Sequence, residues 1–330
     1  MALRVLTLPE DTGSKDDGPQ STGSHSAGAQ STRSQPNVKQ QQRIPAVASL
    51  AIRDVIDGPS VPGRVLGTSR FAVWIAVADS ATGAPADRDG DSGACIGACI
   101  VVGTSDAVRL PNSLAIAVTA ATRPFAGIKA RDVVRVGDGA LLFDDLRVDQ
   151  VRWWNPRPSL SPTTIASLSV SSRRLSRRLE TADDPLGVAL AAGDVGAATS
   201  IITGRLGGGD GLTPYEDDVI CGALAAQLLL GEALAGATAS RSRTFVHNVG
   251  DAVCPIAWQR TTTLSAALLR HAANGEVATP VGHLLQALTA HGDVASATND
   301  LLRVGHSSGI GLTKGVLIGA RAALALERAS

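Results

Sequence analysis

The sequence predicts an α+β fold: a β-rich N-terminal domain followed by a mostly helical C-terminal domain, with a disordered N-terminal tail. Three observations support it. The chain starts with a polar, Ser- and Gly-rich stretch, continues with short β-branched segments between Gly, Pro and Asp, and then shows apolar residues at helical spacing. The predicted boundaries are 1–44 for the tail, 45–160 for the β-rich domain and 161–330 for the helical domain.

The predicted tail is rich in Ser, Gly, Gln, Thr and Asp between residues 11 and 44 and has almost no large apolar side chains. Such a segment cannot bury enough surface to offset the entropy lost on ordering. We therefore expect it to be disordered.

The β-rich domain is predicted from seven short apolar or alternating segments: 64–67, 71–77, 99–102, 113–118, 132–136, 140–143 and 146–148. Residues 79–92 between two of them predict a surface loop. Its Asp87, Asp89 and Asp91 imitate the start of a calcium loop, but Ala98 stands where a bidentate Glu is required, so no calcium site is predicted.

The helical domain is predicted from six segments with apolar residues at helical spacing: 165–179, 219–234, 264–273, 281–290, 297–304 and 312–326. Gly or Pro separates most of them, which is typical of short connections between packed helices.

Composition excludes several classes of partner. Only nine of the 330 residues are aromatic, and Lys+Arg and Asp+Glu number 30 each, so stacking platforms for nucleic acids are not expected. No apolar run is long enough for a signal peptide or a membrane span, which predicts a soluble, cytoplasmic protein with reduced cysteines. Cys95 and Cys99 lack a second pair and are interpreted as small buried residues rather than zinc ligands.

The first candidate site is a loop with five glycines between Gly204 and Gly211, followed by Thr213, Pro214 and an acidic helix start. Such a backbone can aim several N–H groups at one point near a helix N-terminus, which suits a phosphate or a carboxylate. The alternative is a capping box, with Thr213 as the cap, Pro214 first in the helix and Glu216 completing it. Capping does not explain the glycines, so a ligand role is favoured.

Known nucleotide motifs do not fit this loop, because neither a Walker A sequence nor a Rossmann glycine pattern is present. No redox cofactor is expected. Asp217 and Asp218 could hold Mg²⁺ beside a phosphate, but adjacent helical residues point about 100° apart, so only one is expected to face a ligand.

The second candidate site opens the last predicted helix with Gly305, His306, Ser307, Ser308 and Gly309. This run matches the G-x-S-x-G nucleophile elbow, but the preceding residues predict a helix instead of a strand, and no histidine follows. The two serines are better interpreted as hydroxyl donors to an anion at the helix N-terminus.

Between the two loops lies Arg260, in the run Trp-Gln-Arg-Thr-Thr-Thr-Leu-Ser that leads into a helix. A guanidinium can clamp a carboxylate or a phosphate through two hydrogen bonds. A plain surface arginine is the alternative.

These three blocks resemble the AllH-like family, whose name comes from a subunit of oxamate carbamoyltransferase. The specific part is Gly207-x-Gly209-x-Gly211-Leu-Thr-Pro-x-x-Asp-Asp; the others are Arg260-Thr-Thr-x-Leu-Ser and Gly305-His-Ser-Ser-Gly. The resemblance covers roughly residues 200–328 strongly and 45–160 weakly. Two departures stand out: Tyr215-Glu216 replaces a usual Ser-Gly, and an acidic residue usual near Gly311 is absent.

The resemblance implies a carbamoyltransferase, or one subunit of it, that converts oxalurate and phosphate to oxamate and carbamoyl phosphate in allantoin catabolism. It implies small anionic substrates and other carbamoyltransferase subunits as partners. The candidate catalytic residues are Arg260, Asp217, Asp218 and His306. The candidate substrate-binding residues are Gly207, Gly208, Gly209, Gly211, Thr213, Ser307, Ser308 and Gly309.

Two other interpretations remain open from the residues. One is a non-catalytic subunit or sensor that binds an anionic metabolite, since no nucleophile–base pair can be identified. The other is a metal-dependent phosphotransfer enzyme that uses the Asp217-Asp218 pair.

Overall fold

A computed structural model describes residues 41–78, 96–179, 184–234, 236–290 and 292–328. Within them the strands lie before residue 155 and the helices of the C-terminal half begin at residue 165, so the predicted α+β class is confirmed. Residues 1–40 of the predicted tail, the predicted loop at 79–92 and Cys95 lie outside the described residues. The first strand begins at Gln42, inside the last three residues of the predicted tail.

The N-terminal half is a closed eight-stranded barrel in the order β1-β5-β4-β3-β2-β6-β7-β8. Strands β1 and β8 pair in parallel and close it. A short helix, α1 (Arg53–Asp57), connects the first two strands. The strands are β1 (Gln42–Ser49), β2 (Val61–Thr68), β3 (Ala72–Ala78), β4 (Ile96–Gly103), β5 (Ser113–Ile116), β6 (Val133–Gly137), β7 (Ala140–Leu142) and β8 (Leu146–Trp154).

Strand β3 is apolar on both faces because both faces are buried. Val73, Ile75 and Val77 belong to the core inside the barrel. The alternate residues Ala72 and Trp74 face outwards and pack with residues of the helical half. Side chains alternate between the two faces of a strand, so a continuous apolar run of this kind marks a strand covered on both sides.

The C-terminal half is a bundle of helices around one apolar core. The sequence predicted six of them and missed α3, α4 and α6. The helices are α2 (Ile165–Ser176), α3 (Pro185–Ala192), α4 (Val195–Arg205), α5 (Tyr215–Leu234), α6 (Gly236–Arg260), α7 (Thr263–Ala273), α8 (Thr279–Thr289), α9 (Val294–Leu302) and α10 (Ser308–Arg328).

Helices α5 and α10 pack in parallel along a row of glycines. A Cβ atom added at Gly311 would lie 2.9 Å from the Tyr215 carbonyl oxygen, and one at Gly315 would lie 2.9 Å from the Gly222 Cα. A Cβ atom at Gly319, four residues further, would lie 2.8 Å from the Ala226 Cβ. The contacts advance in the same direction on both helices, so the two N-termini lie at the same end of the bundle.

Residues Ser308–Leu326 of α10 are long and apolar enough to cross a membrane, but 67% of the most apolar window is buried inside the protein. A core helix of a soluble protein has the same length and composition, so this observation is weak evidence for a membrane span.

The barrel packs directly against the helical half. Trp74 and Val101, on the outer face of β3 and β4, share a buried apolar cluster with Leu264 and Ala267 of α7. The loop after β4 is fixed by the Thr279 N–H, which donates to the Arg109 carbonyl at 3.1 Å. The barrel and the helical half therefore meet along α7 and the start of α8.

Candidate functional site

The glycine loop before α5 takes backbone conformations that favour glycine. Gly207, Gly209 and Gly211 have φ angles of +77°, +112° and +98°. A side chain at Gly207 would also place its Cβ 2.6 Å from the Arg260 carbonyl oxygen. The glycines are thus required by the path of the chain and by a close approach to the end of α6.

Asp217 closes this loop instead of facing a ligand. Its carboxylate accepts the Gly207 N–H at 2.9 Å and the Thr261 hydroxyl. The side chain belongs to a buried residue at 2% exposure. The Asp217 carboxylate therefore binds the Gly207 N–H, one of the loop donors that were predicted to bind an external anion. It also connects the loop to Thr261, in the segment after α6.

Asp218 points elsewhere and lines a cavity, as expected for neighbouring residues of one helix. It is 5% exposed, and its Oδ2 atom has no hydrogen-bond partner among the described residues. Burial raises the pKa of Asp218 to about 7, and the nearby Asp217 charge adds to this, while the polar Ser308 and Thr213 hydroxyls beside the carboxyl group act in the opposite direction.

Thr213 is not the cap of α5. The helix begins at Tyr215, and the Asp218 N–H donates to the Pro214 carbonyl at 3.2 Å, so Pro214 holds the cap position. The Thr213 hydroxyl instead lies 2.9 Å from the Ser308 hydroxyl. The two glycine-containing segments, separate in sequence, thus meet through a pair of hydroxyls.

The second segment brings His306, Ser307 and Ser308 to the same cavity, with His306 exposed. Helix α9 precedes it, so the strand that a nucleophile elbow needs is absent here, in agreement with the sequence analysis. Gly309 is buried, and a Cβ atom there would lie 2.8 Å from the Val304 carbonyl oxygen. Its role is close packing at the start of α10.

The cavity has a volume of about 420 Å³ and lies between the barrel and the helices. One end is polar and contains Asp218 and the hydroxyls beside it. The rest is walled mainly by apolar side chains, among them Phe71, Trp74, Val101, Leu110, Leu212, Leu264, Leu268, Val277, Val281 and Leu312. The sequence analysis missed this wall, although the doubly apolar β3 segment was a signal that the strand is covered on both faces.

The remaining predicted site residues lie outside the cavity wall. Arg260 is exposed at the end of α6, and the structure brings its carbonyl oxygen, not its guanidinium, against Gly207. Six of the predicted residues do line the cavity: Gly211, Thr213, Asp218, His306, Ser307 and Ser308. The other six do not: Gly207, Gly208, Gly209, Asp217, Arg260 and Gly309.

The charged residues of the wall are more acidic than basic. Asp106, Asp210 and Glu276 accompany Asp218, whereas Arg303 is the only Lys or Arg among the described residues that lines the cavity. Glu276 is paired with His271 at 2.6 Å, and Arg303 with Asp300 at 2.7 Å. An anion bound here would be stabilised by the N-terminal ends of α5 and α10 and by hydroxyl groups, more than by cationic side chains.

Residues 205–320 match the model of a protein family described as oxamate carbamoyltransferase subunit AllH. This segment is similar to the AllH family. It contains the glycine loop, Asp217, Asp218 and the N-terminal half of α10, and thus the polar end of the cavity. Because the family is one of subunits, AllH proteins have other subunits as partners. No solved structure matches this chain.

Tyr215 and Glu216, the first two residues of α5, form contacts of their own. The Glu216 carboxylate lies 3.5 Å from Arg205, which also pairs with Asp184 at 2.8 Å. Lys314 of α10 lies 3.2 Å from Asp184 and 6.0 Å from the Tyr215 ring centroid. Burial alone would raise the pKa of Asp184, but hydrogen bonds from Arg205 and the Leu186 N–H, with the nearby positive charges, lower it.

The Asp217-Asp218 pair does not form a two-carboxylate Mg²⁺ site. Asp217 receives donors on both oxygens, and only Asp218 faces the cavity. Among the described residues no group of three His, Cys, Asp or Glu side chains could hold a metal ion.

Proposed function

We propose that this chain is a subunit of a carbamoyltransferase that converts oxalurate and phosphate to oxamate and carbamoyl phosphate. The observation that carries the proposal is the meeting of Asp218, Thr213 and Ser308 in one cavity at two parallel helix N-termini, inside the segment that matches the AllH family.

The polar end of this cavity suits a carbamoyl group. That group is planar, with an amide nitrogen that donates hydrogen bonds and a carbonyl oxygen that accepts them. The Asp218 Oδ2 atom is an acceptor without a partner, and the hydroxyls and helix ends beside it are donors. Donors aimed at the carbonyl oxygen would also stabilise the negative charge that it gains when phosphate attacks.

In the proposed reaction a phosphate oxygen forms a bond to the carbamoyl carbon of oxalurate. The bond from that carbon to the nitrogen of the oxamate portion breaks, and the nitrogen takes up a proton. A carboxyl group with a pKa of about 7 is protonated often enough near neutral pH to supply it, so we assign Asp218 as the proton donor.

The test is carbamoyl phosphate formation from oxalurate and phosphate by the chain reconstituted with its partner subunits. We expect Asp218→Asn to lower kcat by about 10²- to 10⁴-fold, the range for loss of a general acid. Asp251→Asn is the matched control, because Asp251 is exposed on α6 and outside the cavity wall, and it should retain full activity. Full activity of Asp218→Asn would remove Asp218 from the reaction.

A second candidate function is a non-catalytic subunit that binds an anionic metabolite. One observation favours it. The Ser308 hydroxyl contacts Thr213, and His306 in the same segment is exposed. Ser308 and His306 therefore do not form a nucleophile–base pair. Calorimetry with phosphate, oxamate and carbamoyl phosphate separates the two functions. Binding without turnover in the reconstituted complex supports this second function.

A further inference from the structure

The cavity is larger and more apolar than oxalurate and phosphate require. Its volume of about 420 Å³ lies within the range of roughly 300–1,000 Å³ that is typical of sites for drug-sized organic ligands. Oxalurate and phosphate are polar throughout. Either one, bound at Asp218, would leave the apolar wall in contact with water, which is unfavourable.

The apolar wall is exposed to the cavity at several points. Phe71, Leu110, Leu212 and Leu268 are only half-buried although each lines it. They come from the barrel, from the loop after β4, from the loop before α5 and from α7. Apolar side chains from four parts of the fold thus converge on one space, which an apolar group of a ligand can fill.

Trp74 contributes a hydrogen-bond donor without an acceptor to this otherwise apolar wall. It lines the cavity and is 2% exposed, yet its indole Nε1–H has no acceptor among the described residues. A buried donor without an acceptor costs free energy, so such a group points to an acceptor that a ligand provides. With the Asp218 oxygen, the cavity contains two unpartnered polar atoms of different kinds, a donor and an acceptor.

We propose that the cavity accepts an N-carbamoyl amino acid with a branched apolar side chain. The carbamoyl group lies at Asp218, Thr213 and Ser308, and the side chain lies against Phe71 and Leu268. A carboxylate oxygen accepts the Trp74 N–H. The position of the carbamoyl group rests on the proposed function; the apolar side chain and the acceptor for Trp74 rest on the wall itself.

Calorimetry on the full chain, alone and reconstituted with its partner subunits, tests this ligand class with three probes. N-carbamoyl-L-leucine carries both groups, N-carbamoylglycine lacks the apolar side chain, and L-leucine lacks the carbamoyl group. We expect N-carbamoyl-L-leucine to bind about tenfold or more tightly than N-carbamoylglycine, the gain that burial of a leucine side chain provides. It should bind about fivefold or more tightly than L-leucine, which lacks the hydrogen bonds of the carbamoyl group. Equal affinity for the leucine and glycine derivatives, or no binding in either preparation, overturns the proposal.

Two variants test whether the ligand binds in the cavity. Leu268→Gln should remove the preference for the leucine derivative, and Trp74→Phe, which keeps a ring but loses the N–H, should weaken its binding about fivefold or more. Val188→Gln is the matched control, because Val188 is 64% exposed and lies outside the cavity wall. Unchanged affinities in both cavity variants would contradict the assignment.

The result is separable from the proposed function. Turnover of oxalurate without preferential binding of N-carbamoyl-L-leucine would overturn this inference and leave the carbamoyltransferase in place. Preferential binding that depends on Leu268 and Asp218, without turnover of oxalurate, would support the ligand class and contradict the proposed reaction.

Discussion

The two glycine-rich segments of the helical half use glycine for different reasons. In the loop from Gly204 to Gly211, three glycines have positive φ angles, so the conformation of the chain requires them. In α10, Gly311, Gly315 and Gly319 are within a regular helix and bring its backbone against α5. A cluster of glycines in a sequence can therefore indicate either positive φ angles or a close contact between two helices. The loss of stability on substitution differs between these two cases.

The difference extends to ligand binding. The loop has its Gly207 N–H occupied by the protein's own Asp217, whereas the start of α10 presents Ser307 and Ser308 to the cavity. At Gly207 the loop before α5 thus has a structural role, because its N–H is bonded within the protein. The segment at the start of α10 contributes hydroxyl groups to the candidate site.

The largest expected effect is a leucine on the α10 glycine row. A Cβ atom at Gly315 would lie 2.8 Å from the Ala223 backbone nitrogen, so Gly315→Leu must separate α5 from α10. We expect the free energy of unfolding to fall by at least about 5 kcal/mol, or the protein not to fold, as measured by urea denaturation. Ile310→Leu, on the same helix and 46% exposed, should change it by less than about 0.5 kcal/mol.

The next effect is the pH dependence caused by Asp218, which lies where the two segments meet. Its pKa of about 7 in the folded protein exceeds the ordinary value of 3.8, so the folded state binds this proton more tightly than the unfolded state. Stability from this group is fully present below about pH 4 and is lost as the pH rises to about 7. The loss is on the order of 4 kcal/mol.

Comparison of urea denaturation of the wild type and Asp218→Asn between pH 4 and pH 8 isolates this contribution. The difference between the two proteins should change steadily across that range, because asparagine does not titrate. A constant difference would show that Asp218 has an ordinary pKa in the folded protein.

The smallest effects distinguish Gly207, in the loop before α5, from Gly204, near the end of α4. Gly207→Ala should lower the free energy of unfolding by about 1–3 kcal/mol, because the φ angle is positive and the Arg260 carbonyl is in the way. Gly204→Ala should leave it unchanged or raise it by up to about 1 kcal/mol, since Gly204 is in α4 and nothing lies within 4 Å of an added Cβ. Thermal denaturation of both variants measures the contrast, and equal destabilisation would contradict it.

Local patterns predicted most of the fold. All seven predicted strands overlap observed strands, because β-branched runs bounded by Gly, Pro and Asp are a local signal. Strand β1 was missed because it contains Pro45 and follows a polar stretch, and proline usually argues against a strand. Helix α6 was missed because it contains Pro255 and many polar residues.

The site was predictable only in part, because it depends on contacts between distant segments. The pairing of Thr213 with Ser308 joins residues 95 apart in the chain. The divergence of Asp217 and Asp218 follows from helical geometry, but which of them faces the cavity depends on where Thr261 lies. Arg260 is a residue type suited to anions, but only the folded chain shows that its side chain lies at the surface, outside the cavity wall.

The apolar wall of the cavity extends beyond the segment that matches the family model. The match to the AllH family model ends at residues 205 and 320, yet Phe71, Trp74 and Val101 of the barrel line the same cavity. Substitutions in the barrel can therefore change the shape and polarity of the apolar end while the matched segment keeps the polar end. In this chain the barrel, more than the matched segment, would then determine which molecules fit the apolar end.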